Sequence, residues 1–156
     1  FGPFIFGFLF TTYPRWMDGP AVPRGVYVPT FALFMTSLAL GLAGIWAGTA
    51  VFTLGVLAGC LGWLVGWIAL LRVLLDSEQV VPHAVVTALA LGLATISQFL
   101  FAWALLAPDP ALLHAAPRIA LWCGLLPAAF AVSHRMLPFF TASAVAGYRP
   151  HRPLWW

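Results

Sequence analysis

Residues 25–71 read GVYVPTFALFMTSLALGLAGIWAGTAVFTLGVLAGCLGWLVGWIALL, and these 47 consecutive residues contain no charged side chain. A second uncharged stretch, of 30 residues, separates Glu78 from Asp109. A helix needs about 20 apolar residues to cross the hydrocarbon layer of a bilayer. The first stretch is therefore too long for one crossing, and the second suits one tilted helix.

The composition of the whole chain agrees with this pattern. Hydrophobic residues make up 63% of its 156 residues and charged residues 7%, whereas soluble domains carry roughly 25% charged residues. Such a chain cannot cover a water-facing surface, so we expect the lipid bilayer as its partner. The net charge of +3 comes from arginines near span ends, without a basic patch, and this excludes a nucleic-acid partner.

We predict an all-α fold, a polytopic transmembrane helix bundle with four full spans plus an N-terminal partial span. Barrel strands alternate polar and apolar residues over about 10 positions, and these runs do not. Phe1 opens inside an apolar run, so we expect a fragment that packs against the remaining transmembrane helices of a longer protein. The partial span is expected at 1–13 and the full spans at 28–46, 49–75, 82–106 and 117–148, with a loop at 18–29.

Arginines are distributed unequally between the two expected ends of the bundle. If the spans alternate, one arginine, Arg118, falls at one end, and Arg135 lies within the last span. Cytoplasmic loops of membrane proteins are enriched in basic residues, which predicts that the arginine-rich end is cytoplasmic. The arginines at that end are Arg15, Arg24, Arg72, Arg149 and Arg152.

Four glycines in the span 49–75 are spaced as two G-x-x-x-G pairs, which allow the backbone of another helix to approach closely. Glycine is also simply frequent in membrane helices. We favour a packing seam, formed by Gly55, Gly59, Gly62 and Gly66.

The last span contains the most unusual polar group, His134 followed by Arg135. An arginine at mid-span costs about 2.5–3.5 kcal/mol on insertion scales, so it should face the bundle interior. A neutral imidazole can ligate haem iron or copper, and an arginine can hold a haem propionate. His134 and Arg135 are therefore candidate cofactor-binding residues, and His134 is a candidate metal ligand. The alternative is a structural role for both.

Other metal-binding candidates are weaker. His83 follows Pro82 at the start of a span, where it is either an interfacial residue or a second metal ligand. His114 is expected in a loop and His151 in the basic tail. No pair of histidines has the i, i+4 spacing of ligands on one helix. Core packing is the favoured role of the soft side chains Met35, Met136 and Cys60, and no disulfide is expected between Cys60 and Cys123.

No catalytic residue is predicted. The chain lacks the GxSxG, HExxH and CxxC patterns and a phosphate-binding glycine loop. Its carboxylates lie in loops or at span ends, which argues against a paired-carboxylate hydrolase and against a proton relay. They are Asp18, Asp76, Glu78 and Asp109.

Residues 7–16 read GFLFTTYPRW, and residues 135–141 read RMLPFFT. The first segment is similar to a G-F-L-L-T-A-x-x-x-W segment, and the second to an R-x-[IL]-P-F-F-T segment, of the NnrS family of polytopic membrane proteins, which the chain therefore resembles. Their order and wide separation by hydrophobic spans also agree with that family. The residues that carry the resemblance are Gly7, Thr11, Trp16, Arg135, Pro138, Phe139 and Thr141.

The resemblance implies a haem- and copper-containing protein of the bacterial inner (cytoplasmic) membrane. Its implied role is nitric oxide metabolism or protection against nitrosative stress, with nitric oxide or a related small molecule as ligand. Members of the family have about twelve spans, so this chain would be an internal portion. A histidine-bearing segment of the family normally precedes the first motif and would lie upstream of Phe1.

Two hypotheses from other classes remain open. The first is a transporter or channel segment, which would present polar residues to its substrate from interrupted helices. The second is a structural subunit of a respiratory complex such as a terminal oxidase, which would not require such polar residues. The polar residues that a transporter would use are Thr87, Thr95, Ser97 and Gln98.

Overall fold

A computed structural model describes residues 1–145 and 147–148, apart from the side chain of Phe139. Every regular element in these residues is helical, so the predicted all-α class is confirmed. Four helical runs are long and apolar enough to cross a membrane, as predicted. They cover Arg24–Ala47, Thr49–Leu75, Pro82–Leu106 and Pro110–Ala144.

The first two helices are longer than expected. Helix α1 covers Gly2–Trp16 and continues three residues past the expected end of the partial span. Helix α2 covers Arg24–Ala47, so it begins inside the expected loop and contains Pro29. Pro23 caps α2 in an extended conformation. The proline at position 29 removes only the bond to the carbonyl of Gly25, which lies on the exposed surface at the end of the helix.

Helices α3 and α4 cover Thr49–Leu75 and Pro82–Leu106, the residues of the expected second and third full spans. The turn between α2 and α3 is a single residue, Gly48, with a φ of 99°. This left-handed conformation is accessible to glycine at little cost. Two antiparallel helices can therefore follow each other almost without a loop.

The expected span 117–148 is wrong at both ends. Helix α5 covers Pro110–Ile119, a π-helical turn covers Ala120–Leu125, and helix α6 covers Leu126–Ala144. The early start is explained by Asp109, whose Oδ1 accepts hydrogen bonds from the N–H groups of Ala111 (2.9 Å) and Leu112 (3.3 Å). Such an N-cap satisfies the first free donors of a helix. His114 consequently lies in α5 and not in a loop.

The π-helical turn has a local cause in Pro127. A proline cannot donate a hydrogen bond, and its ring collides with the carbonyl four residues earlier. The N–H of Leu126 bonds to the carbonyl of Leu121, five residues back, which widens the helix just before the proline. Within this turn Gly124 packs against α4, where a methyl group on Gly124 would lie 2.7 Å from Cβ of Ala94.

Helix α4 lies between α3 on one side and the α5–α6 run on the other, whereas α1 packs mainly on α3. The loop that follows α1 meets the last turn of α3 at one end of the bundle, where a methyl group on Gly19 would lie 3.3 Å from a methyl carbon of Val73. Arg15, Arg24 and Arg72 all belong to this end. Arg149 and Arg152 lie outside the described residues.

The four glycines of α3 are all buried. A methyl group on Gly55 would lie 2.7 Å from the backbone nitrogen of Gly41 and 3.0 Å from the carbonyl oxygen of Ser37, so the backbones of α2 and α3 are in direct contact. Further along α3 the small residues face aromatic rings. Methyl groups on Gly62 and Gly66 would lie 2.9 Å from Phe34 and 2.7 Å from Phe6.

We expect Gly55→Ala to lower the free energy of unfolding by about 1–3 kcal/mol, because the added methyl group overpacks a backbone contact. The matched control is Gly41→Ala, also in mid-helix, where an added methyl group meets no atom within 4 Å. It should stabilise the helix by about 0.5–1 kcal/mol. Unfolding of both variants in detergent micelles measures the difference, and equal midpoints would contradict the close approach of α2 and α3.

Candidate functional site

Three side chains from three different helices meet at one end of the bundle. Nη1 of Arg135 lies 2.6 Å from Nε2 of His83. The guanidinium carbon of Arg135 lies 5.4 Å from the centre of the Trp16 ring, within the range of a cation–π interaction. The rings of Trp16 and His83 meet edge to face with centres 5.8 Å apart. We call Trp16, His83 and Arg135 the end cluster.

Two hydrogen bonds between residues far apart in the sequence fix the position of α4 against α1 and α3, next to the end cluster. The hydroxyl of Tyr13 donates to the carbonyl of Ala84 (2.8 Å), next to His83. The indole N–H of Trp67 donates to the carbonyl of Ala88 (2.9 Å), one turn further along α4. Tyr13 is fully buried, and its ring lies 5.8 Å from that of Trp16. The same tyrosine therefore positions both partners of Arg135.

The register of α4 against the last run sets the depth of Arg135. The hydroxyl of Ser97 donates to the carbonyl of Ala116 (2.5 Å), and Arg135 reaches His83 in the first turn of α4. The two helical runs are thus antiparallel, and Arg135 is level with the beginning of α4. Arg135 is therefore level with one end of α4, and nine further residues of α6 follow it. The expectation that Arg135 lies at mid-membrane stays a prediction.

The hydrogen bond between Arg135 and His83 specifies how His83 is protonated. A guanidinium has only N–H donors and no acceptor. Nε2 of His83 must therefore accept, which leaves the proton of the neutral imidazole on Nδ1. The end cluster has one positive charge, on Arg135, beside a neutral imidazole and the face of an indole.

The end cluster joins the two sequence segments that are separated by more than a hundred residues, Trp16 from the first and Arg135 from the second. Comparison with known protein families matches residues 1–156 to the family described as NnrS protein. The chain belongs to the NnrS family. With its four apolar helices it is a multi-pass membrane protein. No curated protein and no solved structure matches it.

In this NnrS-family chain, His134 and Arg135 have different surroundings although they are adjacent. The ring of His134 stacks on that of Phe130, one turn earlier in α6, with centres 6.1 Å apart. Both His134 and Arg135 are half-buried. His83, one of the predicted ligands, contacts Arg135. The ligand roles of His83 and His134 stay predictions.

Two other motif residues, Gly7 and Thr11, precede Trp16 in α1. Gly7 and Thr11 line a cleft of about 750 Å³ between α1 and α2, and the hydroxyl of Thr11 donates to the carbonyl of Phe8 (2.8 Å). Pro138 lies inside α6, where the hydroxyl of Thr141 donates to the carbonyl of Leu137 (2.8 Å). Phe139 has no described side chain.

Metal donors are sparse in the part of the chain that the structure describes. No three His, Cys, Asp or Glu side chains there are grouped to hold a metal ion. Cys60 is buried and its Sγ lies 3.3 Å from the carbonyl oxygen of Gln98, while Cys123 is exposed. Met35 is exposed. His151 lies outside the described residues.

The end cluster could be only partly predicted. Trp16 and Arg135 each belong to a motif, and His83 was considered as a ligand, but nothing in the sequence pairs His83 with Arg135. Tyr13, which supports the cluster, was missed. Its signal was a tyrosine three residues before Trp16, a spacing that places two side chains on one helix face.

We expect Tyr13→Phe to lower the free energy of unfolding by about 1–3 kcal/mol, because it leaves the buried carbonyl of Ala84 without its donor. Tyr27→Phe is the matched control, since Tyr27 is exposed and its hydroxyl bonds to no described residue. Chemical unfolding of the purified variants measures both. A Tyr13 variant as stable as the Tyr27 variant would show that this bond does not hold α1 to α4.

A double-mutant cycle on His83→Ala and Arg135→Ala should give a coupling free energy of about 1 kcal/mol or more, because the two side chains share a charge-assisted hydrogen bond. The control cycle uses His114 and Arg118, an exposed histidine and arginine of α5. These two residues are i, i+4 neighbours on an exposed helix face, where pair energies are only about 0.2–0.5 kcal/mol, so the coupling of the control cycle should not exceed that range. A coupling that small for His83 and Arg135 would contradict the described contact.

Proposed function

We propose that this NnrS-family chain is part of a haem- and copper-binding protein of the bacterial cytoplasmic membrane that acts in nitric oxide metabolism or in protection against nitrosative stress. The observation that carries the proposal is the end cluster, in which the two segments similar to the NnrS family meet through His83. Family membership over residues 1–156 supports it.

The end cluster fits the carboxylate side of a haem. A guanidinium presents five N–H donors in a planar fork, so it can bond an imidazole and a carboxylate at the same time. At the end of the bundle, a propionate beside Arg135 would remain close to the headgroup layer. The indole of Trp16 offers a flat apolar face next to it. Haem, when bound, supplies an iron atom that can take nitric oxide as a ligand.

The residues of the end cluster have separate tasks in this proposal. Arg135 supplies the positive charge that complements a carboxylate, and its bond to Nε2 fixes the orientation of the His83 ring. Nδ1 of His83 then carries a proton that can be donated to an acceptor. Trp16 limits access of water to the guanidinium by covering one of its faces.

Copper fits the described residues less well. A copper site needs several imidazole or thiolate donors, and the described residues contain no group of three. Its remaining ligands would have to come from other parts of the full-length protein. The proposal of copper binding therefore rests on membership of the NnrS family, with His83 and His134 as the candidate donors of this chain. His83 could bind copper only after its Nε2 releases the bond to Arg135.

A transporter function gains no support from the polar residues of α4. Thr87, Thr95 and Ser97 are all buried, and each hydroxyl donates to a backbone carbonyl. The acceptors are His83 (2.7 Å), Leu91 (2.8 Å) and Ala116 (2.5 Å). These bonds serve the helices themselves and not a substrate path. Gln98 differs from the other three, since its side-chain amide forms no hydrogen bond with a described residue.

Absorption spectra of the full-length protein test the proposal of haem binding. We expect a Soret band in the purified protein, and about tenfold weaker haem retention in Arg135→Ala, which corresponds to about 1.4 kcal/mol. Arg135→Lys keeps the charge but not the planar fork, so it should retain an intermediate amount. The matched control is Arg118→Ala, in α5, which should bind haem as the wild type does.

Stability must be measured on the same samples, because Arg135→Ala also removes the bond to His83. A wild-type protein without a Soret band would contradict the proposal. So would a well-folded Arg135→Ala variant with full haem content. Metal analysis of the same preparations, with His83→Gln and His134→Gln, tests the copper ligands in the same way.

A further inference from the structure

The cleft of about 750 Å³ between α1 and α2 is closed at one end by the two helices and at the other by the loop that joins them. At the first end the helices touch, because a methyl group on Gly7 would lie 3.2 Å from the ring of Phe31. The loop contributes Asp18, Gly19, Ala21 and Val22. All the described walls therefore come from residues 7–31, a continuous stretch of the chain.

Two opposite charges line this cleft without being paired to each other. Arg15 is in the last turn of α1, and Asp18 is the second residue after that helix. Both side chains are exposed and line the cleft, and within the described residues neither forms an ion pair or a hydrogen bond. The cleft thus offers one guanidinium and one carboxylate to a ligand.

The local structure alone does not account for a carboxylate at position 18. The N–H of Gly19 donates to the carbonyl of Pro14 (2.9 Å) at the end of α1, and Asp18 adopts a left-handed φ of 48°. Glycine, and sometimes asparagine, is usual where a helix ends in this way. A negative charge is also unfavourable beside the negative end of the helix dipole. Asp18 is therefore disfavoured by its own helix end.

The remaining walls of the cleft are mainly apolar. They are formed by Phe10, Pro14, Val22, Tyr27 and Phe31. The two charges lie at the ends of the helices, since α1 ends at Trp16 and α2 begins at Arg24. When these helices cross a bilayer, their ends reach the headgroup layer and their apolar middle lies in hydrocarbon. The cleft suits an amphiphile with an apolar chain and a headgroup that carries both a negative and a positive charge.

We propose that this cleft binds phosphatidylethanolamine, with the phosphate accepting hydrogen bonds from Arg15 and the ammonium group donating to Asp18. One acyl chain of the lipid packs against the apolar walls. Phosphatidylglycerol would place an anion beside Asp18 without a cation to pair with it. Phosphatidylcholine has no N–H group to donate to the carboxylate. An ethanolamine headgroup complements both charges of the cleft.

Native mass spectrometry of the full-length protein, delipidated in detergent and titrated with dioleoyl phospholipids, tests this proposal. We expect the Kd for phosphatidylethanolamine to be about five- to tenfold lower than that for phosphatidylcholine, the difference expected for one hydrogen bond. Asp18→Asn should remove this preference and leave the Kd for phosphatidylcholine unchanged. Asparagine tolerates the left-handed conformation, so the helix end is preserved. Arg15→Gln should raise the Kd for both lipids, because both carry the phosphate.

Two control variants remove the same charges outside the cleft. Arg24→Gln changes an exposed arginine at the start of α2, and Glu78→Gln changes an exposed carboxylate between α3 and α4. Both should leave the preference for phosphatidylethanolamine unchanged. Ala21→Trp, which places a large ring in the wall of the cleft, should weaken the binding of both lipids although both charges remain.

Thermal unfolding separates a ligand role of Asp18 from a structural one. Without lipid, Asp18→Gly should raise the unfolding midpoint, because glycine adopts a positive φ at lower cost and the charge at the helix end is removed. With excess phosphatidylethanolamine the variant should gain less stability than the wild type, because it binds the lipid more weakly. A lower midpoint without lipid would show that Asp18 stabilises the protein itself and would contradict the proposal.

Equal Kd values of the wild type for phosphatidylethanolamine and phosphatidylcholine would overturn the proposal. So would an Asp18→Asn variant that keeps the preference. Tighter binding of phosphatidylglycerol than of phosphatidylethanolamine would assign the site to Arg15 alone and would also overturn it. None of these measurements depends on a metal or a haem, so they can be interpreted whether or not the proposed function is correct.

Discussion

The backbone contact between α2 and α3 is the constraint on which the arrangement of the other helices depends. Lipid tails are as apolar as leucine, so the hydrophobic effect does little to bring membrane helices together. Close packing and hydrogen bonds must do so instead. At Gly55 two backbones touch, and further along α3 the missing side chains of Gly62 and Gly66 leave room for Phe34 and Phe6. One surface of α3 thus positions both α2 and α1.

From this base, hydrogen bonds to backbone carbonyls determine where α4 lies. Tyr13 and Trp67 reach it from α1 and α3, and Ser97 links it to α5. Such bonds compete with water where they are exposed, but Tyr13 and Ser97 are both buried within the bundle. The end cluster, which includes the first turn of α4, is a consequence of this placement.

Helix type and number followed from composition, since long uncharged runs have no other stable form in a bilayer. The limits of α3 and α4 were also evident, because charged or helix-breaking residues flank both. The start of α5 differs from the expectation because Pro108 and Pro110 are typical of a helix stop, whereas Pro110 is a favourable first residue after the cap Asp109. The contact of Arg135 with His83 depends on helix register, which no local pattern determines. The glycine spacing did indicate which face of α3 is buried.

The π-helical turn before Pro127 also determines the direction in which Arg135 points, although the turn is not part of the end cluster. An α-helix advances by about 100° per residue, and a π-turn accommodates one additional residue in the same run. Everything after Leu125 is therefore rotated by roughly that angle relative to an uninterrupted helix. Without this offset Arg135 would point along a different azimuth and would miss His83. Pro127, eight residues before Arg135, thus sets the rotational orientation of α6 about its axis.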